Sequence, residues 1–116
     1  MKGTQSQSSK NLFHIAQTFS FRCAASIASC DFHSETSMTY TGVKANGDLD
    51  PSNVETVTIK VDPIRDMLFL VTWTEKEGAV IVHLEDYKEY RIITNYVDPG
   101  PPPRLMIFRG PMKQIS

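Results

Sequence analysis

Residues 68–85 decide the fold, and they read LFLVTWTEKEGAVIVHLE. Short apolar runs, LFLV at 68–71 and AVIV at 79–82, lie on the two sides of Lys76-Glu77-Gly78, as in the two strands of a β-hairpin that is apolar on both faces. A three-residue connection with glycine in the left-handed conformation at its third position fits this sequence. The turn therefore predicts that Trp73 pairs with Ile81 across the hairpin.

This register divides the side chains of the hairpin between two faces, because directly paired residues share a face. The mixed face carries Phe69, Val71, Trp73, Glu75, Ile81, His83 and Glu85. The aliphatic face carries Leu68, Leu70, Thr72, Thr74, Val80, Val82 and Leu84. A two-residue turn would instead move His83 off the face of Glu75, since a one-residue slip exchanges the faces. A second three-residue turn at 87–89 predicts that Arg91, Ile93 and Asn95 extend the mixed face.

Period-two patterning continues along most of the chain and indicates an all-β, antiparallel fold. We predict strands at 18–24, 27–33, 36–43, 54–61, 67–75, 79–86, 90–97 and 104–109. Eight short strands joined by tight turns are typical of a closed up-and-down barrel or of a sandwich. Alanines in 18–33 suit a helix equally well, and a helix there would leave an α+β fold with a six-stranded sheet.

The remaining segments are predicted as a tail, a helix and two loops. Residues 1–9 read as a loose polar tail before a single β-barrel domain at 10–116. Ser9 caps a short N-terminal helix whose apolar positions are Leu12, Ile15, Ala16 and Phe19. The segment 43–53 and the proline-rich segment 98–103 are predicted loops, because turn residues and prolines concentrate there.

Length, charge and composition restrict the classes of protein to which this chain can belong. A chain of 116 residues and 13.1 kDa has room for one domain. The net charge of -1, with basic residues scattered singly, argues against a nucleic-acid partner. No apolar run reaches the roughly 18 residues of a membrane span. We therefore expect a cytoplasmic protein without a membrane or nucleic-acid partner.

Cys23 and Cys30 are interpreted as small buried thiols in a reducing compartment. A disulfide across one hairpin stays open, because one register would place the two cysteines opposite each other. The sequence has no metal-ligand spacing, no glycine-rich phosphate loop and no nucleophile motif. We accordingly expect neither a metal site nor a cofactor.

The mixed face is interpreted as the lining of a cavity inside the barrel, because an eight-stranded barrel can hold one small ligand. The predicted ligand-binding residues are Tyr40, Phe69, Trp73, Glu75, His83 and Asn95. Four of them have a plainer alternative: Trp73 as ordinary core, Glu75 as a solvated carboxylate, His83 as a core histidine bonded to Glu85 or Tyr40, and Asn95 as a residue that holds a strand end. The aliphatic face needs a cover, which predicts a homodimer.

Several motifs resemble the MoaF-related family, named for molybdenum cofactor biosynthesis protein F. They are VETV at 54–57, PIR at 63–65, LFLVTWTE at 68–75, VIVHLEDY at 80–87 and Thr94-Asn95, within a match over 36–110. The resemblance implies a lipocalin-like (calycin) barrel, in agreement with the strand count. It implies no particular reaction.

The chain is also distantly similar to phenolic acid decarboxylases, which are lipocalin-like barrels. That likeness places Glu75 at the position of their catalytic glutamate. Phe19 and Phe21 stand where those enzymes have two tyrosines, and Thr41 where they have an arginine. Without these groups nothing obvious holds a substrate carboxylate, so decarboxylation is not expected.

Three functions are compatible with these observations. The first is a non-enzymatic carrier or sensor of a small apolar or aromatic molecule. The second is an enzyme, decarboxylase- or isomerase-like, in which Glu75 and His83 act as general acid and base. The third is an interaction protein with a filled interior. A cavity beside Trp73 would distinguish the first two from the third.

Overall fold

The computed structural model describes residues 20–23 and 28–114, which form strands and turns without a helix. It has ten strands: β1 (Ser20–Cys23), β2 (Ala28–Phe32), β3 (Ser37–Val43), β4 (Leu49–Thr58), β5 (Lys60–Arg65), β6 (Leu68–Thr74), β7 (Val80–Asp86), β8 (Arg91–Asp98), β9 (Arg104–Pro111) and β10 (Lys113–Gln114). Every pairing between them is antiparallel. The all-β prediction is confirmed, and the strands β1 and β2 exclude the helical alternative for most of 18–33.

The strands form two five-stranded sheets rather than one closed barrel, which corrects the predicted architecture. The first sheet has the order β10-β1-β2-β3-β4 and the second the order β5-β6-β7-β8-β9. The chain passes between the sheets at Ile59 and again at Met112, whose side chains are buried. At these corners the backbone N–H of Ile59 bonds to Thr36 O and that of Met112 to Tyr90 O, which interrupts the ladders. Strands that bend from one sheet into another are common in packed two-sheet folds.

The hairpin of β6 and β7 has the predicted register. Trp73 pairs with Ile81 and Val71 with His83. Glu75 N donates to Ala79 O, and Gly78 N donates to Glu75 O, at 2.8 Å each. Gly78 has φ of 98°, a conformation that glycine adopts without the steric cost of a Cβ. The turn therefore fixes which side chains of the two strands face the opposite sheet.

The turn between β7 and β8 was predicted with the wrong length. Asp86 pairs with Arg91, which leaves four residues at 87–90 instead of three. Asp86 Oδ1 accepts the backbone N–H groups of Lys88 at 2.9 Å and Glu89 at 3.0 Å, and Tyr90 has φ of 54°. The extra residue exchanges the faces of β8, so Asn95 pairs with Val82 on the outer face.

Two further predictions about the first sheet need correction or completion. The predicted loop at 43–53 is shorter, because β4 begins at Leu49. Pro51 is tolerated there since β4 is an edge strand.

Cys23 pairs with Ala28 and Cys30 with Phe21, so the register does not place the two cysteines opposite each other. The predicted tail at 1–9 and the short helix ending at Phe19 lie outside the described residues.

The core fills the space between the sheets. Its buried apolar side chains come from both: Cys30, Phe32, Met38, Val57, Ile59, Phe69, Val71, Trp73, Ala79, Ile81, Tyr87, Ile92 and Met112. Four polar side chains, Ser29, His83, Glu85 and Thr94, are buried as well. Across the part of the chain that the structure describes, we find no helix with the length and apolarity to cross a bilayer.

Candidate functional site

A cavity of about 460 Å³ lies between the sheets beside Trp73. Its lining comes from both sheets: Ala28, Cys30, Tyr40, Gly42 and Asn53 from the first, and Trp73, Glu75, Glu77, Ile81, His83, Thr94, Tyr96, Asp98, Met106 and Phe108 from the second with its turns. The volume is within the roughly 300–1,000 Å³ typical of small-molecule pockets. Buried residues such as His83 and Thr94 form the floor, and the exposed Glu77 and Asn53 mark the rim.

Four of the six predicted ligand-binding residues line this cavity: Tyr40, Trp73, Glu75 and His83. Phe69 shares the face of Trp73 but lines a separate cavity of about 270 Å³ near the Ile59 corner. Asn95 lies on the outer face of β8 for the reason given above. The structure therefore brings together Tyr40 and three residues of the β6–β7 hairpin, and it leaves out Phe69 and Asn95.

The floor contains a buried chain of hydrogen bonds. Tyr87 donates its hydroxyl to Glu85 Oε1 at 2.6 Å, and His83 Nδ1 lies 3.0 Å from Glu85 Oε2. With Glu85 ionised, Nδ1 carries the hydrogen, and Nε2 is left without a hydrogen-bond partner among the described residues. The indole of Trp73 packs edge-on against the imidazole, with 4.7 Å between the ring centroids. His83 is thus held in one orientation at the cavity.

Glu55 and Glu75 organise the rim. Glu55 Oε1 accepts the hydroxyl of Tyr40 at 2.9 Å, and Glu55 Oε2 accepts the backbone N–H of Lys76, also at 2.9 Å. Because Tyr40 and Glu55 belong to the first sheet and Lys76 to the β6–β7 turn, Glu55 connects the two sheets at the rim. Glu75 Oε2 accepts the indole N–H of Trp73 at 3.3 Å.

The carboxylates and burial of the rim shift the pKa values of its titratable groups. Burial, followed by the hydrogen bond to Glu55 and then by the charges of Glu75 and Glu55, raises the pKa of Tyr40 well above its ordinary value. Burial is also the main cause of a raised pKa at Glu75; the Trp73 hydrogen bond opposes it, and the charge of Glu55 reinforces it. The pKa of Tyr96 is raised by burial and by the charges of Glu75, Asp98 and Glu77.

Thr94 is the one buried side chain of the described residues whose polar atom has no hydrogen-bond partner there. It is 3% exposed, lines the cavity and pairs with His83 across β7 and β8. A buried polar group without a partner costs about 1–3 kcal/mol, so such groups are rare. The Thr94 hydroxyl is therefore available at the cavity floor for a hydrogen bond to a water or to a bound molecule.

Sequence reasoning missed Glu55, Thr94, Tyr96 and Asp98. Thr94, Tyr96 and Asp98 were missed for one reason, the four-residue turn that exchanges the faces of β8. Asp86 was the local signal for the true turn. Aspartate favours the first position of a type I turn, which predicts that the loop begins at residue 87. Glu55 carries no local signal, because its contact with Lys76 joins residues distant in sequence.

Comparison with protein families matches residues 15–112 to the MoaF-like model. The chain belongs to the MoaF-like family. No curated protein matches the chain. Among the residues that the structure describes, no group of three or more His, Cys, Asp or Glu side chains is arranged to hold a metal ion.

One solved structure resembles this MoaF-like chain. It is a protein from Burkholderia vietnamiensis described as a "putative beta-lactamase", with 13% sequence identity and a TM-score of 0.68. The likeness covers 84% of this chain and 92% of the other. At this identity it supports the fold alone, and it carries no argument about the reaction.

Proposed function

We propose that this MoaF-like protein binds one small, largely apolar molecule in the cavity beside Trp73. The observation that carries the proposal is the unsatisfied Thr94 hydroxyl in a cavity of about 460 Å³. A protein whose interior served only for stability would gain by filling this space and by replacing Thr94 with valine. A filled-interior interaction protein is therefore a weaker explanation.

The lining has the composition expected for such a ligand. Trp73, Tyr96 and Phe108 offer aromatic surface, and Ile81 and Met106 offer aliphatic surface. A small number of polar groups among apolar walls orients a ligand and gives specificity.

A neutral fluorescent probe, N-phenyl-1-naphthylamine, tests this proposal. Its emission should rise on addition of the protein and saturate at one probe per chain. Met106→Trp places a bulky side chain in the cavity and should weaken binding at least tenfold. Ile107→Trp is the matched control, since Ile107 is adjacent on β9 but 49% exposed on the outer face. Equal binding by both variants, each verified as folded, would refute the proposal.

Thr94→Val gives an independent test. Removing the unsatisfied hydroxyl should leave stability unchanged or increase it by about 1 kcal/mol. The same substitution should weaken the binding of any ligand that hydrogen-bonds to the floor. A variant that is more stable and also binds less well is characteristic of a binding site, whereas loss of stability would mark Thr94 as structural.

The second candidate is an acid–base enzyme, and the bond between His83 and Glu85 favours it. A carboxylate that holds Nδ1–H leaves Nε2 as a base of fixed orientation, as in hydrolytic triads. Glu75, whose pKa is raised, lines the same cavity and can supply an acid. The reaction class is proton transfer on a bound carbon acid. Solvent deuterium entering a bound ligand, and lost in His83→Gln, would favour the enzyme over the carrier.

A further inference from the structure

The rim of the cavity has a strong excess of negative charge. Glu75, Glu77 and Asp98 line it, and Glu55 lies behind Tyr40. No lysine or arginine is among the lining residues that the structure describes. Carboxylates gathered at the entrance of a low-dielectric cleft focus their field into it.

No ion pair of the described chain involves these rim carboxylates, although Arg104 pairs with Asp98 across β8 and β9. The ion pairs found there join Lys60 to Asp62 and His83 to Glu85, neither of which involves Glu75, Glu77 or Asp98. The effect of the field reaches the cavity wall, because the charges of these three carboxylates contribute to the raised pKa of Tyr96. A positively charged guest would relieve their repulsion.

Two further features of the cavity point to a guest, and the first of them points to a cation. The walls present the aromatic rings of Trp73, Tyr40, Tyr96 and Phe108, and an aromatic face attracts a cation by its quadrupole. The floor presents the Thr94 hydroxyl, which is buried without a partner in the described chain and so leaves a position for a guest or a water rather than for protein.

We propose that the ligand is a small organic cation, a monoamine with an aromatic or branched apolar body, whose ammonium group lies among Glu75, Glu77 and Asp98. This inference rests on the proposed binding function and adds the charge of the ligand to it. An anion is excluded from the same position, because it would meet carboxylates and no basic group among the described lining residues. A neutral molecule would leave the carboxylates uncompensated.

Three probes of one shape and different charge test the inference: 3-phenylpropylamine, 3-phenylpropan-1-ol and 3-phenylpropionate, titrated by calorimetry at pH 7. We expect the amine to bind at least tenfold more tightly than the alcohol and the carboxylate to bind more weakly than both. Addition of salt should reduce the preference for the amine and leave the alcohol unaffected.

Variants that each remove one charge identify which carboxylates are responsible for the preference for the amine over the alcohol. Glu75→Gln and Glu77→Gln should each reduce the preference for the amine over the alcohol severalfold, with little change in affinity for the alcohol. Glu89→Gln, an exposed glutamate in the β7–β8 turn, is the matched control and should leave the preference unchanged. A preference that survives both rim substitutions would overturn the assignment of the rim.

The outcomes separate this inference from the function on which it rests. If the alcohol binds as well as the amine, or the carboxylate binds best, the inference is wrong while cavity binding stands. If none of the three binds, the inference is also wrong. The naphthylamine probe then decides the wider proposal, since its binding requires the cavity and no charge.

Discussion

His83 Nδ1 lies 3.0 Å from Glu85 Oε2, and both residues are almost fully buried, at 4% and 1% exposure. The two residues point to the same face of β7 because they are two positions apart. Tyr87 extends the arrangement by a further two positions, and its ring packs edge-on against Phe69 at 5.8 Å. Alternation along β7 and into the first residue of the following turn thus builds a polar chain that begins with His83 at the cavity floor and continues behind it.

Removal of Glu85 should be strongly destabilising. Glu85→Ala leaves the Nδ1–H of His83 and the hydroxyl of Tyr87 without their acceptor and creates an internal void. We expect a loss of about 2–5 kcal/mol in the free energy of unfolding, measured by urea denaturation. Glu89→Ala, nearby and exposed, should change it by less than about 0.5 kcal/mol. Similar values for the two variants would contradict the assigned role of Glu85.

Stability should depend on pH through Glu75. Because its pKa is raised in the folded state, the folded protein holds the proton more tightly than the unfolded chain. The stabilisation is fully present below the ordinary value of 4.5 and is lost as pH rises through the folded pKa. Relative to Glu75→Gln, the wild type should therefore become less stable as pH rises across that window.

The groups that face Glu75 give the control for this measurement. They are Trp73, Glu77, and Tyr40 and Glu55 of the first sheet. Glu77→Gln removes a charge that raises the Glu75 pKa, so it should reduce the pH dependence without abolishing it. An unchanged difference between wild type and Glu75→Gln from pH 4 to pH 8 would show that Glu75 is not perturbed.

Much of the fold was accessible from the sequence because period-two patterning and turn residues are local signals. Gly78 specified the register of the β6–β7 hairpin, and with it the placement of Trp73, Glu75 and His83. The corners at Ile59 and Met112 could not be predicted from the sequence. Each depends on a backbone bond to a residue in another turn, and no local pattern distinguishes a bent strand from a straight one.

Apart from Tyr40 on β3, the candidate site was predictable only in the part that β6, β7 and their turn contribute. One residue in the length of the 87–90 turn determined whether Asn95 or Thr94 faces the cavity, since a slip of one position reverses a strand. The rim was even less predictable from the sequence. The contact between Glu55 and Lys76 exists only once both sheets are assembled.

Phenolic acid decarboxylation is not expected of this protein. The described residues that line the cavity offer no guanidinium or ammonium group to hold a hydroxycinnamate carboxylate, and Thr41 is not among them. Incubation with p-coumarate or ferulate should give no vinylphenol above the rate in buffer. Turnover that Glu75→Gln abolishes would contradict this prediction and restore the likeness to those enzymes.

The predicted homodimer remains a prediction, and the outer face of the second sheet is where we expect it. The exposed or half-buried apolar residues of this face are Leu68, Leu70, Val80, Val82, Leu84, Ile93, Val97, Leu105 and Ile107. One row across the sheet begins at Asp62 on β5 and ends at Arg109 on β9. A two-fold axis along β7 would place Asp62 of each copy over Arg109 of the other copy, so the dimer would contain this contact two times.

Charge exchange tests this arrangement by light scattering after gel filtration. Arg109→Asp should weaken the dimer, because Asp62 would then meet an aspartate. Asp62→Arg combined with Arg109→Asp should restore it. A wild-type monomer at high protein concentration, or a double variant no better than the single one, would contradict this geometry.

The division between floor and rim has a consequence for how related proteins can diverge. The floor is made by buried positions in the middle of strands, where a substitution that changes side-chain volume disturbs the packing between the sheets. Of the rim carboxylates, Glu75 and Glu77 lie in the connection between β6 and β7 and Asp98 is the last residue of β8, positions where substitutions are better tolerated. On the proposed assignment of the rim, changing a few residues in the turns would alter which charge the cavity accepts and leave the packing of the strands beneath unchanged.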